Sequence, residues 1–483
     1  MDITRAGRHP TLKASMACLS LFLALFCGAG SAEQDSPLGS LESGIVTSTE
    51  EQAMGREFIA AARKQLVFID DPLLTEYVTA LGQRLSRGLV GDTDSLRFFL
   101  IDSPMVNAFA GPGSRMAVFT GLVTATQTEA ELASVIAHEL GHVAQRHLPR
   151  MMERARQRKL PTTAAMLAGI LLGGQVGAAA MAATSGAAVA DQLNYNREYE
   201  READVLGLRI LTDAGYPASA TIQFLKRLDQ ETRLQSSGAP EYLRTHPLTQ
   251  NRIALVESRI RQYPDFAEPP SLDFYHARVR IQALYGAGGA DNVLANFIHN
   301  LDSTVAVDAR AARYGRVLTL IRFGNYDEAI KLASNLHRDF PEDVSYRLAL
   351  ADALLQSGQV EDSVSHLESL ALETPESTVV AYYLSDALMK AGRFEVSRKV
   401  LRRAIRAAPS AFLYRLMARV EGEAGNLPQS FQALAEYYFR QDEVSRAIGA
   451  LQHASTLVSD NAYLEASITS KISELEALQP SKP

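Results

Sequence analysis

The sequence predicts an α+β domain, mostly helical around a small β-sheet, followed by an all-α solenoid. Residues 45–262 mix helix-start signals with short β-rich runs. Further on, Pro341, Pro375 and Pro409 recur at an interval of 34 residues, and Gly324, Gly358 and Gly392 keep the same interval. Between the two patterns, Tyr263-Pro264-Asp265-Phe266-Ala267-Glu268-Pro269-Pro270 breaks any helix, because proline has no N–H to donate and its ring clashes with the preceding turn.

Composition sets the frame. The 483 residues are 47% hydrophobic and 21% charged, which is a globular balance with enough chain for about two or three cores. The formal charge of −7 and the absence of any Lys/Arg block argue against nucleic acid as a partner.

At the N-terminus, Arg5, Arg8 and Lys13 precede the apolar run Ala14–Cys27 and then the small residues Gly30-Ser31-Ala32. This is the pattern of a secretory signal peptide, residues 1–32, cleaved after Ala32. The run is shorter than the roughly 20 residues of a membrane span, so an uncleaved anchor is the lesser alternative. Bulky Phe26 before Cys27 argues against a lipoprotein site. Cleavage removes both cysteines, Cys18 and Cys27, so the exported chain must fold without disulfides.

Helix starts follow. Ser48-Thr49-Glu50-Glu51 is a capping box, and Asp71-Pro72 is an N-cap with proline at the first helical position. Leu96 to Ile101 reads as a strand. Asn107–Ala110 and Met116–Thr120 read as a hairpin around Gly111-Pro112-Gly113. An edge strand at Asn107–Ala110 could bind an extended polypeptide by β-addition, or could simply close the core.

Thr128-Glu129-Ala130-Glu131 is a second capping box, and the helix it opens carries His138-Glu139-Leu140-Gly141-His142. A spacing of four residues puts both histidines on one face, where they can converge on Zn²⁺. Glu139 is placed to act as general base without being a ligand. A catalytic zinc takes three protein ligands and keeps one position open. His147 lies on the same predicted helix, but Gln145 and Leu148 stand where a metzincin has Gly and His. The third ligand is then expected from a separate helix, a gluzincin arrangement, with Glu200 as ligand. Asp204, four residues on, is assigned with Glu139 to the catalytic group, orienting a ligand histidine. Small Ala203 and Gly207 would let the two helices approach closely, and Gly215 with Pro217 ends the second one.

His138–His142 followed by Tyr195-Asn196-Arg197-Glu198-Tyr199-Glu200-Arg201-Glu202-Ala203-Asp204 resembles the zinc endopeptidases grouped with CAAX prenyl proteases and HtpX, which share a Glu-x-x-x-Asp element. The 34-residue helix–turn–helix period resembles the tetratricopeptide repeat. A weaker unit around Gly288-Gly289-Ala290-Asp291 precedes the clear ones, and Arg440–Val458 is a candidate final one. With the secretory signal, the resemblance narrows to the periplasmic, repeat-bearing type that serves outer-membrane β-barrel assembly. It implies a zinc protease domain over residues 33–262, a linker at 263–272 and repeats over 273–478. It also implies one zinc per chain, misfolded or stalled outer-membrane proteins as substrates, and a chaperone-like role with the barrel-assembly machinery as partner.

Three features stay open at this stage. Arg244-Thr245-His246-Pro247-Leu248 resembles the family's His-Pro segment, so His246 is a candidate fourth ligand or oxyanion group, against an ordinary loop histidine. Arg252 either supports an oxyanion or pairs with Asp204. Residues 161–190 carry no charge and read as a helical lid or hairpin beside the cleft, able to touch a membrane surface. The rival reading of the whole chain is a repeat-based periplasmic scaffold or chaperone with a structural or vestigial zinc site.

Overall fold

The computed structural model describes residues 48–89, 95–157, 186–234, 240–268, 270–301, 306–458 and 461–479, all within one compact unit. The expected signal peptide, residues 1–32, and residues 161–185 of the uncharged segment lie outside the described residues. No described helix is long and apolar enough to cross a membrane.

The chain begins with α1 (Ser48–Ala62), β1 (Val67–Ile69), α2 (Pro72–Ser86), β2 (Arg97–Asp102), β3 (Ala108–Gly111) and β4 (Arg115–Phe119). At the head of α2, the Asp71 carboxylate accepts the Leu74 N–H at 3.1 Å, and Pro72 sits where a helix has an N–H to spare. The sheet order is β1-β2-β4-β3, with β2 and β4 parallel and the outer pairs antiparallel, so β3 is an edge. The hairpin turn from β3 to β4 passes through Gly113 at φ +63°, a conformation glycine adopts without penalty.

Alternation along the strands divides two cores. Phe99, Ile101, Phe109, Ala117 and Phe119 face α1, where Phe58 and Ile59 are fully buried. Leu100, Ala108, Met116 and Val118 face the opposite way, onto α2 and onto α4 (Glu129–Ala144), which follows the short α3 (Thr120–Ala125). A four-stranded sheet covered on both faces has no need of polar positions, and all five residues of β4 are buried.

The remaining N-terminal elements are α5 (His147–Gln157), α6 (Gly186–Asp213), α7 (Ser219–Leu234), α8 (Glu241–Thr245) and α9 (Gln250–Ile260). The solenoid runs in consecutive pairs: α10 (Leu272–Tyr285) with α11 (Ala290–Leu301), α12 (Ala306–Arg322) with α13 (Tyr326–Asp339), and α14 (Val344–Gln356) with α15 (Val360–Glu373). Then come α16 (Thr378–Lys390) with α17 (Phe394–Ala407), α18 (Ala411–Glu423) with α19 (Leu427–Arg440), and α20 (Val444–Thr456) with α21 (Ala462–Ala477).

The glycine period has a local cause. Gly324, Gly358, Gly392 and Gly425 all have φ between +73° and +88°. The next N–H reaches back to close each first helix: Asn325 to Leu320, Gln359 to Leu354, Arg393 to Leu388 and Asn426 to Glu421, at 2.8–2.9 Å. After three of these glycines a buried or half-buried serine ties the second helix to its first: the Oγ of Ser363, Ser397 and Ser430 donates to the carbonyl of Ala351, Ser385 and Ala418 at 2.7–2.8 Å.

The first helices of the pairs meet the protease domain. Arg280 on α10 forms a buried ion pair with Asp71 and also reaches Tyr314 and Tyr383. Arg415 on α18 pairs with Asp70 at 2.9 Å, and Leu73 packs into the solenoid core. At the far end, Asp442 accepts two hydrogen bonds from Arg115, the first residue of β4, at 3.0 and 2.9 Å. Part of the repeat surface is therefore taken up by the chain itself.

Candidate active site

Helix α4 lies almost wholly in the core, buried from Glu129 to Gly141. Thr128 caps it by accepting the Glu131 N–H at 3.2 Å, and the Glu131 carboxylate is clamped by Arg227. Its approach to α6 is as close as backbone permits. A Cβ added at Gly141 would stand 2.9 Å from the Ala203 carbonyl, and one at Gly207 would stand 3.0 Å from Cα of His138. The helices thus touch glycine to backbone beside the histidine pair, which brings Glu200 into reach of both rings. Gly141→Ala is expected to push α6 outward at a cost of about 1–3 kcal/mol and to weaken metal uptake, read by thermal melting and by zinc titration.

His138, His142, Glu200 and His246 each offer a ligand atom, and these atoms lie within 4.8 Å of one another. Nε2 of His138 is 3.1 Å from Nε2 of His142, and those nitrogens are 3.3 and 3.4 Å from the two Glu200 oxygens. Donors sharing one tetrahedral zinc at about 2.0–2.1 Å stand about 3.3 Å apart, so the spacing suits that ion. The donor set is also what zinc takes, imidazole and carboxylate. Oε2 of Glu200 is buried and makes no hydrogen bond, though Arg252 Nη1 pairs with it at 2.8 Å.

His246 ends α8, its N–H donating to Tyr242 O, and Tyr242 N–H donates to Val106 O just ahead of β3. This attaches the His246 segment to the sheet edge. Nδ1 of His246 is 2.9 Å from Glu200 and 3.4 Å from His138, while Nε2 is 3.3 Å from Oε1 of Glu139. Glu139 is buried, and the Ala110 backbone of β3 is among the neighbours that favour its charged form.

Electrostatics mark the place as one that calls for a cation. Burial alone would strip charge from His138, but Asp204 and Glu200 outweigh it and raise the ring to about 10. Burial lowers His142 to about 3, which leaves a neutral imidazole. Glu200 resists its own burial because His246, His138 and His142 hold it well below the usual carboxylate range. Burial raises Glu139 above the usual carboxylate range, against the pull of His246 and His138.

Asp204 does not face the cleft. Its Oδ1 is 3.1 Å from Nδ1 of His138, and Arg252 donates to both of its oxygens at 2.8 Å. Asp204 thus lies between His138 and Arg252. Of the two roles open for Arg252, the geometry brings it to Asp204, with its Nη1 shared between Glu200 and the Pro247 carbonyl.

One detail is corrected. His147 is not on the histidine helix: α4 ends at Ala144, Arg146 turns the chain at φ +52°, and His147 begins α5. Its Nδ1 comes to rest 2.8 Å from Nδ1 of His142. Spacing set this residue aside as a ligand, and no signal in the sequence places it beside one.

A histidine pair one turn apart, a glutamate from a crossing helix and a free glutamate beside them define a metalloendopeptidase. The model of peptidase family M48 matches residues 72–260, and tetratricopeptide repeat models match 320–381 and 382–445. The chain is 30% identical to the beta-barrel assembly-enhancing protease of Escherichia coli strain K12, covering 93% of each chain. It is 37% identical to a Vibrio cholerae relative over 65% of this chain and 66% of that one. Over 34% of its length it is 31% identical to the mitochondrial metalloendopeptidase OMA1 of Arabidopsis thaliana. The chain belongs to peptidase family M48, with tetratricopeptide repeats on the C-terminal side.

Proposed function

We propose that this metalloendopeptidase is a periplasmic zinc enzyme that hydrolyses misfolded or stalled outer-membrane proteins and assists barrel assembly, exported by a signal peptide cleaved after Ala32. The name of the Escherichia coli relative, matched over nearly its whole length, supports the biological setting. The observation that carries the chemistry is Glu139, buried beside the four convergent donors without being one of them.

In this reading His138, His142 and Glu200 hold the metal. Zinc bound there supplies a Lewis acid that polarises the scissile carbonyl and acidifies water. Glu139 takes the proton from the attacking water as its oxygen joins the carbonyl carbon, then gives a proton to the amine nitrogen as the C–N bond breaks. Asp204 and Arg252 keep His138 and Glu200 in place. The β3 edge is suited to receive an extended chain by β-addition. The repeats serve as contact surface for clients or for the barrel-assembly machinery.

His246 is the gate. It occupies the space between Glu200 and Glu139 that a substrate carbonyl and water need, and its segment is fastened to the strand edge. The test is cleavage of a urea-unfolded outer-membrane β-barrel protein by the exported chain. Cleavage should be zinc-dependent, abolished by a chelator and restored by zinc, and His246→Ala should speed it. Chelator-resistant cleavage overturns the zinc reading; an unchanged or slower rate in His246→Ala overturns the gate.

A further inference from the structure

His147 is 2% exposed and its two ring nitrogens both have partners, Nδ1 at 2.8 Å from Nδ1 of His142 and Nε2 at 2.9 Å from Oε2 of Glu202. The ring is stacked on Tyr199 at 4.4 Å and 20°, and Arg150 donates to the same Glu202 oxygen at 2.8 Å while lying 4.7 Å over the Tyr199 ring. The chain takes a left-handed turn at a non-glycine residue, Arg146, to set this ring there. Only one hydrogen fits between two nitrogens at that distance. A histidine that binds metal through Nε2 carries its proton on Nδ1, and Nε2 of His142 is the atom facing His138 and Glu200.

The direction of every bond then follows. His142 Nδ1–H donates to His147 Nδ1, so the His147 proton is on Nε2 and is donated to Glu202, which Arg150 holds in place. We propose that His147, backed by Glu202, is a positioning residue that fixes the tautomer and ring orientation of His142 for metal binding, as Asp204 does for His138. The inference rests on the zinc-site reading above, and it gives the two histidines different supports: a carboxylate for one, an imidazole with a carboxylate behind it for the other.

Amide side chains separate this from a packing role. The oxygen of Asn at position 147 can take the place of Nδ1 and accept from His142, whereas Gln places its amide near Nε2 and leaves His142 unsupported. Zinc affinity of the purified chain is measured by chelator competition for wild type, His142→Ala, His147→Asn, His147→Gln, His147→Leu and Glu202→Gln, with thermal midpoints of the metal-free forms alongside. His147→Gln and His147→Leu should lose about 10–100-fold in affinity, while His147→Asn stays close to wild type. Glu202→Gln, which can still accept from Nε2–H, should stay closer to wild type than either. Asn and Gln variants equally weakened, or both as tight as wild type, overturn the relay. If the wild type takes up no zinc, or His142→Ala binds as tightly as wild type, the zinc site itself is wrong.

Discussion

Glu139→Gln is expected to keep its zinc and lose hydrolysis of an unfolded substrate by about 10²–10⁴-fold, the range for removing a general base. The exchange preserves the shape of the side chain, so β3 and the helix stay where they are. What it removes is proton capacity at the one carboxylate in the cleft that is not among the four convergent donors. Burial raises that carboxyl above the usual carboxylate range, while His246 and His138 favour its charged form. Zinc content per chain and cleavage rate, measured on the same preparation, check the prediction. Equal cleavage by variant and wild type would shift the weight to the repeats and to the scaffold reading.

The parts of this site legible in the sequence are those that depend on helical period. His138 and His142 share a face because they are four apart, and Glu200 and Asp204 do so for the same reason; neither statement needs a tertiary contact. The glycine and proline intervals of the solenoid are equally local, since each glycine serves a left-handed helix end that any other residue would strain. Strand β1 is only three residues long and shows no alternation to read; its pairing with β2 defines it. His147 was placed by period on the wrong helix, because nothing in Gln145-Arg146 announces a left-handed arginine. Arg252 presented two roles that only its distance to Asp204 separates. The pairs that join the solenoid to the protease domain, Asp71 with Arg280 and Arg115 with Asp442, link residues 209 and 327 positions apart, a range over which sequence pattern carries no pairing information.

Asp71→Asn is expected to destabilise the folded chain by about 3–5 kcal/mol, the cost of leaving a buried charge without its partner. Both side chains of the pair are buried, 9% and 7% exposed, and Arg280 binds Asp71 through Nε and Nη2 at 2.8–3.0 Å. With the carboxylate gone, the guanidinium keeps only the hydroxyls of Tyr314 and Tyr383, neither of which carries the opposing charge. Asparagine still caps α2, so the loss reports the ion pair and not the helix start. The same argument fixes the sign of the double change: Asp71→Asn with Arg280→Met removes both the charge and its need for a partner, and should recover much of the stability. Urea midpoints of the wild type, the single and the double variant check this. The consequence reaches the site, because α2 packs on the core that holds α4, and Arg280 ties α2 to three repeat helices, α10, α12 and α16. A single variant that unfolds at the wild-type midpoint would mean that the other contacts, among them Arg115–Asp442, Arg415–Asp70 and the packing of Leu73, hold the solenoid to the protease domain without this pair.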